Sequence, residues 1–270
     1  GAVAVFSARD DASGLRQGLL LAMDLERYSY APDSSTLIRA TEGTIVDRIP
    51  PRLAVPRAAS LELPHIMILI QDAAKDIIEG LAARKPAFRP AYDMELMQHG
   101  GHLAGWFIDA PDQVDSILTK LESLLAATKA SQNTDHPLFW AMGDGNHSLA
   151  TAKARWEEIK AEHLKTHPDI SGLSGHPARF ALAEIVNIHS PGLRFEPIHR
   201  AVFTSRVSEL VAKLAALPEI AENRETNEQE LVALLASPQG QSSIGCFEGR
   251  SWQLFTLKEG VSRLPPAIVD

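Results

Sequence analysis

The residues of this chain best suited to chemistry lie at positions 143–148, which read GDGNHS. The apolar stretch 139–142 precedes them, and the run that follows has its apolar residues at helical spacing. A strand, a glycine-rich turn and a helix in this order predict a helix N-terminus whose N–H groups and dipole attract phosphate or carboxylate. His147 could donate a hydrogen bond or transfer a proton there, and Asp144 could bind a metal ion or orient that histidine.

The same residues also fit a purely structural role. Asn146 or Ser148 could cap the helix by accepting a backbone N–H, with His147 simply standing at the helix start. A G-x-G pattern before a helix is weak evidence of a binding site by itself. Spacing alone therefore leaves a binding turn and a capped helix start as alternatives.

A second polar cluster lies upstream, at residues 39–52. Its members are Arg39, Thr41, Glu42, Thr44, Asp47, Arg48 and Arg52. Alternation along a strand would place Arg39 and Thr41 on one face, and Glu42 and Thr44 on the other. A glutamate before a glycine in such a strand is suited to act as a general base beside a bound ligand. An exposed strand with ion pairs is the alternative.

Other polar residues are weaker candidates. Glu184 falls in a strand-like stretch, where exposure is the simplest interpretation and burial would require a partner or a shifted pKa. His199 and Arg200 follow a proline and fit a structural role as well as a ligand contact. His163 and His167 have the four-residue spacing of some zinc sites, but their place at a proline-terminated helix end disfavours metal binding.

The pattern of apolar residues predicts the elements that position these clusters. Strands are expected at 3–6, 36–49, 65–70, 139–142 and 179–188, with hairpins around 100–101 and 248–250. Helices are expected at 72–85, 112–130, from about 148, at 205–217 and at 227–237. Strands interleaved with helices predict an α/β (α+β) fold with a mixed sheet. From about residue 204 the expected elements are two helices followed by a hairpin. This change predicts a main domain at 1–203, which carries the candidate site, and a small α+β subdomain at 204–270.

Composition narrows the class of protein. Of the 270 residues, 45% are hydrophobic and 22% charged, which is typical of a globular chain with a sizeable core. The net charge of −8 disfavours a nucleic-acid partner. No apolar run reaches the roughly 18 residues of a membrane span, so we expect a cytoplasmic protein. Cys246 is the one cysteine, which excludes an intrachain disulfide, and its apolar surroundings indicate a buried, unreactive thiol.

Several stretches of the chain, taken in order, resemble a known family. Residues 36–52, 61–70, 142–153 and 175–203 are similar to motifs of the bacterial family called domain of unknown function 1015. In that family the turn more often reads Asp-Gly-His-His-Arg and the upstream motif His-Glu-x-Thr. This pairing in turn resembles the ParB/sulfiredoxin-like superfamily, whose members bind nucleotide phosphates and include free-serine kinases. The resemblance covers most of residues 36–203 and, more loosely, the remainder.

The resemblance implies a nucleotide-phosphate site for ADP or ATP and Mg²⁺. Asp144 and His147 match the turn, and Glu42 matches the upstream motif, so these three residues are the implied catalytic groups. Asp144 would orient His147 or bind Mg²⁺, and Glu42 would activate a hydroxyl acceptor. The implied ligand-binding residues are Gly143, Gly145, Asn146, Ser148, Arg39, Thr44, Arg48 and Arg200.

The chain departs from the family pattern at three positions. Asn146 and Thr41 stand where histidine is common, and Ser148 stands where arginine is common. Loss of that arginine removes a bidentate phosphate clamp. Arg39, Arg48, Arg52 and Arg200 are the candidate replacements.

Two functions follow as expectations. The first is an enzyme that binds a nucleotide or phosphorylated metabolite and transfers a phosphoryl group to a small hydroxyl acceptor. The second is a non-catalytic module that senses a small anion or a nucleotide. In both, the partner is a phosphate-bearing small molecule and not a membrane, and the sequence leaves the oligomeric state open.

Overall fold

The computed structural model describes residues 4–12, 14–31, 34–40, 44, 46–59, 61–193, 201–203, 206–237, 240 and 242–260. Of residues 56 and 58, only the backbone is described. The chain divides into two compact units, Gly1–Arg194 and Phe195–Asp270. The domain boundary between residues 203 and 204 stays a prediction.

A mixed sheet organises the first unit. Its strands are β1 (Ala4–Asp11), β2 (Gly14–Asp24), β3 (Ile38–Arg39), β4 (Met67–Ile70), β5 (Arg89–Glu95), β6 (His102–Ile108), β7 (Trp140–Asp144) and β8 (Phe180–Asn187). Within the described part of the chain, they form one eight-stranded sheet in the order β3-β7-β4-β8-β2-β1-β6-β5. The β3/β7 and β4/β8 pairs are parallel, and the remaining pairs are antiparallel.

Four helices accompany this sheet in the described residues: α1 (Ile49–Ala58), α2 (Glu79–Ala82), α3 (Pro111–Gln132) and α4 (Asn146–His163). The main core joins alternate strand residues, such as Ala183 and Ile185 of β8, to Leu149 and Trp156 of α4. Alternation follows because successive side chains of a strand point to opposite faces of the sheet. A smaller cluster of Met67, Leu69 and Val186 forms from the intervening positions.

The second unit has its own sheet and core. Its described elements are α5 (Val207–Ala215), β9 (Ile220–Thr226), α6 (Glu228–Leu235), β10 (Ser243–Phe247) and β11 (Trp252–Leu257). The strands form an antiparallel sheet in the order β10-β11-β9. Ile220, Phe255 and Leu257 form its buried cluster. Asn227 caps α6, because its side chain accepts the N–H of Glu230 at 2.9 Å.

The predicted α/β (α+β) class with a mixed sheet is confirmed, and so are several elements. β4 is buried on all four of its residues, as the apolar run 65–70 indicates. The hairpin around residues 100–101, the long helix α3, the strands β7 and β8 and the hairpin of β10 and β11 are also present. The strands β2 and β9 were not predicted from the sequence. Cys246 is half-buried rather than buried, and burial raises the pKa of its thiol.

Two predicted elements are wrong. The helix expected at 72–85 is reduced to α2, because the Asp72 carboxylate accepts the N–H groups of Asp76 and Ile77 and closes a turn instead. Of the strand expected at 36–49, the described residues form only β3, and Val46–Arg48 form a 3-10 turn instead. Pro50 and Pro51, which follow the expected strand, lie in the first turn of α1, where a missing N–H costs no intrahelical hydrogen bond.

Among the described residues, no helix combines the length and the apolar composition that crossing a bilayer requires.

Candidate functional site

The candidate site lies where β7 passes into α4. Gly145 joins the two elements with φ of +86°, a conformation that glycine adopts without strain. A Cβ on Gly145 would lie 2.7 Å from the carbonyl oxygen of His65. The absence of a side chain therefore lets the start of α4 pack directly on the backbone that leads into β4.

The start of α4 has no side-chain cap. The N-cap position is Gly145, and the first turn holds no acidic residue. The interpretation of Asn146 or Ser148 as a cap is therefore wrong: the helix begins at Asn146, so both residues lie inside it. N–H groups of a first turn point away from the helix, and the dipole makes this end electropositive. Asp144 is exposed beside it, and its carboxylate accepts the Gly145 N–H at 2.7 Å.

A cavity of about 210 Å³ opens at this helix start. Its lining residues are Arg52, His65, Asp144, Gly145, Asn146, His147 and Ser148. Arg52 reaches the cavity because α1 packs against α4 through Ile49, Leu53 and Ala150. The turn that the sequence singles out is thus one wall of a polar cavity, and α1 and the segment before β4 supply the rest.

His65 links this cavity to a partly buried carboxylate. Its Nε2 lies 3.4 Å from Oε2 of Glu184, and the same oxygen lies 3.4 Å from a guanidinium nitrogen of Arg16. The hydrogen bond with Glu184 raises the pKa of His65 above its ordinary value of 6.5. Burial and Arg16 oppose that increase in the pKa, and the charges of Glu184 and Asp144 favour it.

The strand register explains how these groups meet. Met67 of β4 pairs with Asp144 of β7 on one side and with Glu184 of β8 on the other. Neighbouring strands lie roughly 4.8 Å apart, so the backbones of Asp144 and Glu184 are separated by roughly two such spacings. One row of the sheet therefore supplies both carboxylates.

Most residues of the predicted turn lie together at this cavity. Asp144, Gly145, Asn146, His147 and Ser148 all line it, although Asn146 is largely buried. Gly143 does not line it: a Cβ there would lie 2.9 Å from Leu69, which indicates a packing role.

The upstream residues are less directly connected to the cavity. Arg39 binds the backbone carbonyls of Thr36 and His136, and so ties the chain around β3 together. Arg48 is exposed in a short 3-10 turn, Val46–Arg48. Thr44 is half-buried, and its hydroxyl has no hydrogen-bond partner among the described residues. Thr41, Glu42, His199 and Arg200 lie outside the described residues, so their roles stay predictions.

His65 and Arg16 were not predicted as site residues, and Glu184 was expected to be exposed. The Glu184 side chain is only 11% exposed and has the partners that burial requires. The one available signal was that His65 begins the apolar run 65–70, for which a strand is predicted. That position places the residue at an end of the sheet but does not identify its neighbours.

Metal-binding clusters are not evident in the described part of the chain, which holds no group of three or more histidine, cysteine, aspartate or glutamate residues arranged for a metal ion. The rings of His163 and His167 stack in parallel with centroids 3.9 Å apart. The described residues around Asp144 thus offer Mg²⁺ a single carboxylate.

The fold and the cavity define an α+β protein with a polar pocket at a helix N-terminus. The chain belongs to the family described as protein of unknown function (DUF1015), whose model matches residues 3–269. Neither a curated protein nor a solved structure matches the chain. The ParB/sulfiredoxin-like similarity stays a prediction.

Proposed function

We propose that the cavity at the start of α4 binds the phosphate group of a nucleotide, ADP or ATP, or of a phosphorylated metabolite. One observation carries this proposal: the start of α4, which has no acidic residue in its first turn, opens into a cavity that Arg52 and two histidines line, with Asp144 as the one carboxylate among its lining residues. Backbone N–H groups at a helix N-terminus and basic side chains are the common means of binding phosphate. Arg52 takes the place of the arginine that the family turn more often carries.

The size of the cavity limits what it holds. About 210 Å³ is below the roughly 300–1,000 Å³ of pockets that enclose a whole small molecule. The phosphate end of the ligand would occupy the cavity, and the rest would lie outside it. The local basic groups favour an anion here although the whole chain carries a net charge of −8.

The proposal extends to phosphoryl transfer. The acceptor hydroxyl would lose its proton to Glu42, its oxygen would form a bond to the terminal phosphorus, and the bond to the leaving phosphate oxygen would break as ADP departs. Asp144 fits Mg²⁺ as a single carboxylate ligand, since Mg²⁺ commonly combines one or two carboxylates with phosphate oxygens and water. The positive charge of that ion would neutralise charge on the phosphates.

The alternative is a non-catalytic sensing module that uses the same cavity. Both functions require phosphate binding. The residues proposed to bind phosphate line one cavity, which supports this common requirement. A ligand that raises the melting temperature without being consumed would identify the sensor.

A charge reversal at the helix start tests the proposal. Ser148→Asp should abolish binding of ADP, ATP and pyrophosphate because a carboxylate in the first turn of α4 repels phosphate. The same change should not unfold the protein, since an acidic residue there favours the helix by about 0.3–1 kcal/mol. Thermal shift and titration calorimetry measure both effects.

Ser208→Asp is the matched control, because it adds the same charge to the exposed first turn of α5. It should leave binding unchanged. Unaltered phosphate binding by Ser148→Asp would refute the proposed site.

Catalysis has a separate test. With ATP, Mg²⁺ and a panel of small hydroxyl compounds, wild-type protein should release ADP and form a phosphorylated product. Glu42→Ala should bind ATP as before but lose turnover by a factor of roughly 10²–10⁴, the usual contribution of a general base. Full turnover by Glu42→Ala would remove the assigned base.

A further inference from the structure

We propose that His65 is a phosphate-binding residue of this site and that Glu184, supported by Arg16, is the positioning residue that orients its ring. This inference rests on the proposed function, since it concerns the same cavity. It assigns ligand recognition to His65 and its support to Glu184 and Arg16, none of which belongs to the turn at 143–148.

The exposure of the His65 and Glu184 side chains separates their roles. The His65 side chain is 56% exposed and lines the cavity, so a ligand can reach it. The Glu184 side chain is 11% exposed and contacts His65 rather than lining the cavity. A carboxylate so little exposed needs compensating charge, which Arg16 on one side and His65 on the other provide.

The contact determines which ring nitrogen faces a ligand. Nε2 of His65 is directed at Glu184 and can donate to it, so Nδ1 is the nitrogen left for the cavity. In the protonated ring Nδ1 carries a hydrogen and donates, whereas in the neutral ring with hydrogen on Nε2 it accepts and would repel phosphate oxygens. The carboxylate therefore favours the form of the histidine that binds an anion.

The sheet fixes the carboxylate in place. Glu184 lies over Gly18 of β2, where a Cβ would come within 2.5 Å of Oε1 of Glu184. Gly18 thus provides the space that the carboxylate occupies. The strand pairing of β4 with β8 brings His65 and Glu184 together across 119 residues of sequence.

A second histidine–carboxylate pair in the same sheet shows what an ordinary surface contact looks like. Nε2 of His102 lies 2.7 Å from the Asp93 carboxylate, with the side chains 42% and 76% exposed. Neither residue lines the cavity at α4. This pair has the same histidine–carboxylate contact as His65 and Glu184 but lies away from the cavity. It therefore serves as the control.

Calorimetric titration with pyrophosphate and inorganic phosphate tests the inference. His65→Gln should weaken binding roughly tenfold, the effect of losing one charge-assisted hydrogen bond. Glu184→Gln should weaken it to a similar degree, and the double variant should bind no more weakly than His65→Gln alone, because Glu184 acts through His65. His102→Gln and Asp93→Asn should bind as wild type does. In the wild-type protein, the NMR signal of the His65 ring Nδ1 should shift when phosphate is added.

Each other outcome has a distinct meaning. Wild-type binding with unchanged affinity in His65→Gln would overturn the inference and leave the proposed function standing. Additive losses in the double variant would show that Glu184 acts independently and would remove its positioning role. No binding of either phosphate compound by wild type would refute the proposed function and this inference together. If Glu184→Gln unfolds, an unshifted Nδ1 signal in wild type still refutes the role of His65.

Discussion

At the scale of single residues, His65 is a lining group of the candidate cavity whose protonation is biased by its neighbours. Its hydrogen bond with Glu184 raises its pKa, an effect that burial and Arg16 reduce and that Asp144 reinforces. Arg52 and His147 line the same cavity as the His65 ring. A histidine whose pKa lies above 6.5 is protonated over more of the neutral range than a free histidine.

This shift predicts how phosphate affinity changes with pH. Affinity should be highest where His65 is protonated and should fall as pH rises through its folded-state pKa. Because that pKa is raised on folding, the linked stability is present in full below about 6.5, the unfolded value, and is lost as pH rises through the folded value. Titration of the His65 ring signals by NMR gives the midpoint, and Glu184→Gln should lower it. A wild-type midpoint below 6.5 would contradict this account.

At the scale of elements, the helix α4 is placed by a glycine rather than by a cap. Gly145 combines a positive φ with a close approach to the backbone at His65, and it has no side chain with which to cap the helix. The local sequence predicts the turn, because two glycines separate an apolar strand from a helical run. It does not predict the contact, because the segment before β4 is distant in sequence.

Gly145→Ala should therefore misplace the helix start. A left-handed backbone costs an alanine about 1–2 kcal/mol, and the overlap with the His65 carbonyl adds to that. We expect a loss of at least about 2 kcal/mol of unfolding free energy by chemical denaturation, with weakened phosphate binding. Gly249→Ala is the matched control: φ is +88° there, but no atom lies within 4 Å of the added Cβ. Equal losses in the two variants would show that close packing at Gly145 contributes nothing.

At the scale of the whole molecule, two units with separate sheets and cores make up the chain. The described residues of the candidate cavity all belong to the first unit. Three strand pairings of that unit connect them: β7 with β4, β4 with β8, and β8 with β2. Sheet order thus brings Asp144 of β7, Glu184 of β8 and Arg16 of β2 to the region of the cavity, whereas the wholly apolar β4 contributes only through His65, which precedes it.

Local sequence determined a large part of this protein: its α+β class, the buried strand β4, the long helix α3, two hairpins and the turn before α4. In each case the information lies within a few neighbouring residues, as apolar periodicity or as glycines that permit a turn. Local pattern failed at residues 72–85, where a side chain, Asp72, competes for the N–H groups of the expected helix.

Only the tertiary structure decided which side chains lie around the helix turn, both those that line the cavity and those behind them. Arg16 and Glu184 are 168 residues apart in sequence and meet because β2 and β8 pair. No local pattern specifies that pairing, since many strand orders satisfy the same alternation of apolar residues. The sequence therefore identified the helix turn as a candidate site, and the sheet order added the histidine and the carboxylate that complete its electrostatics.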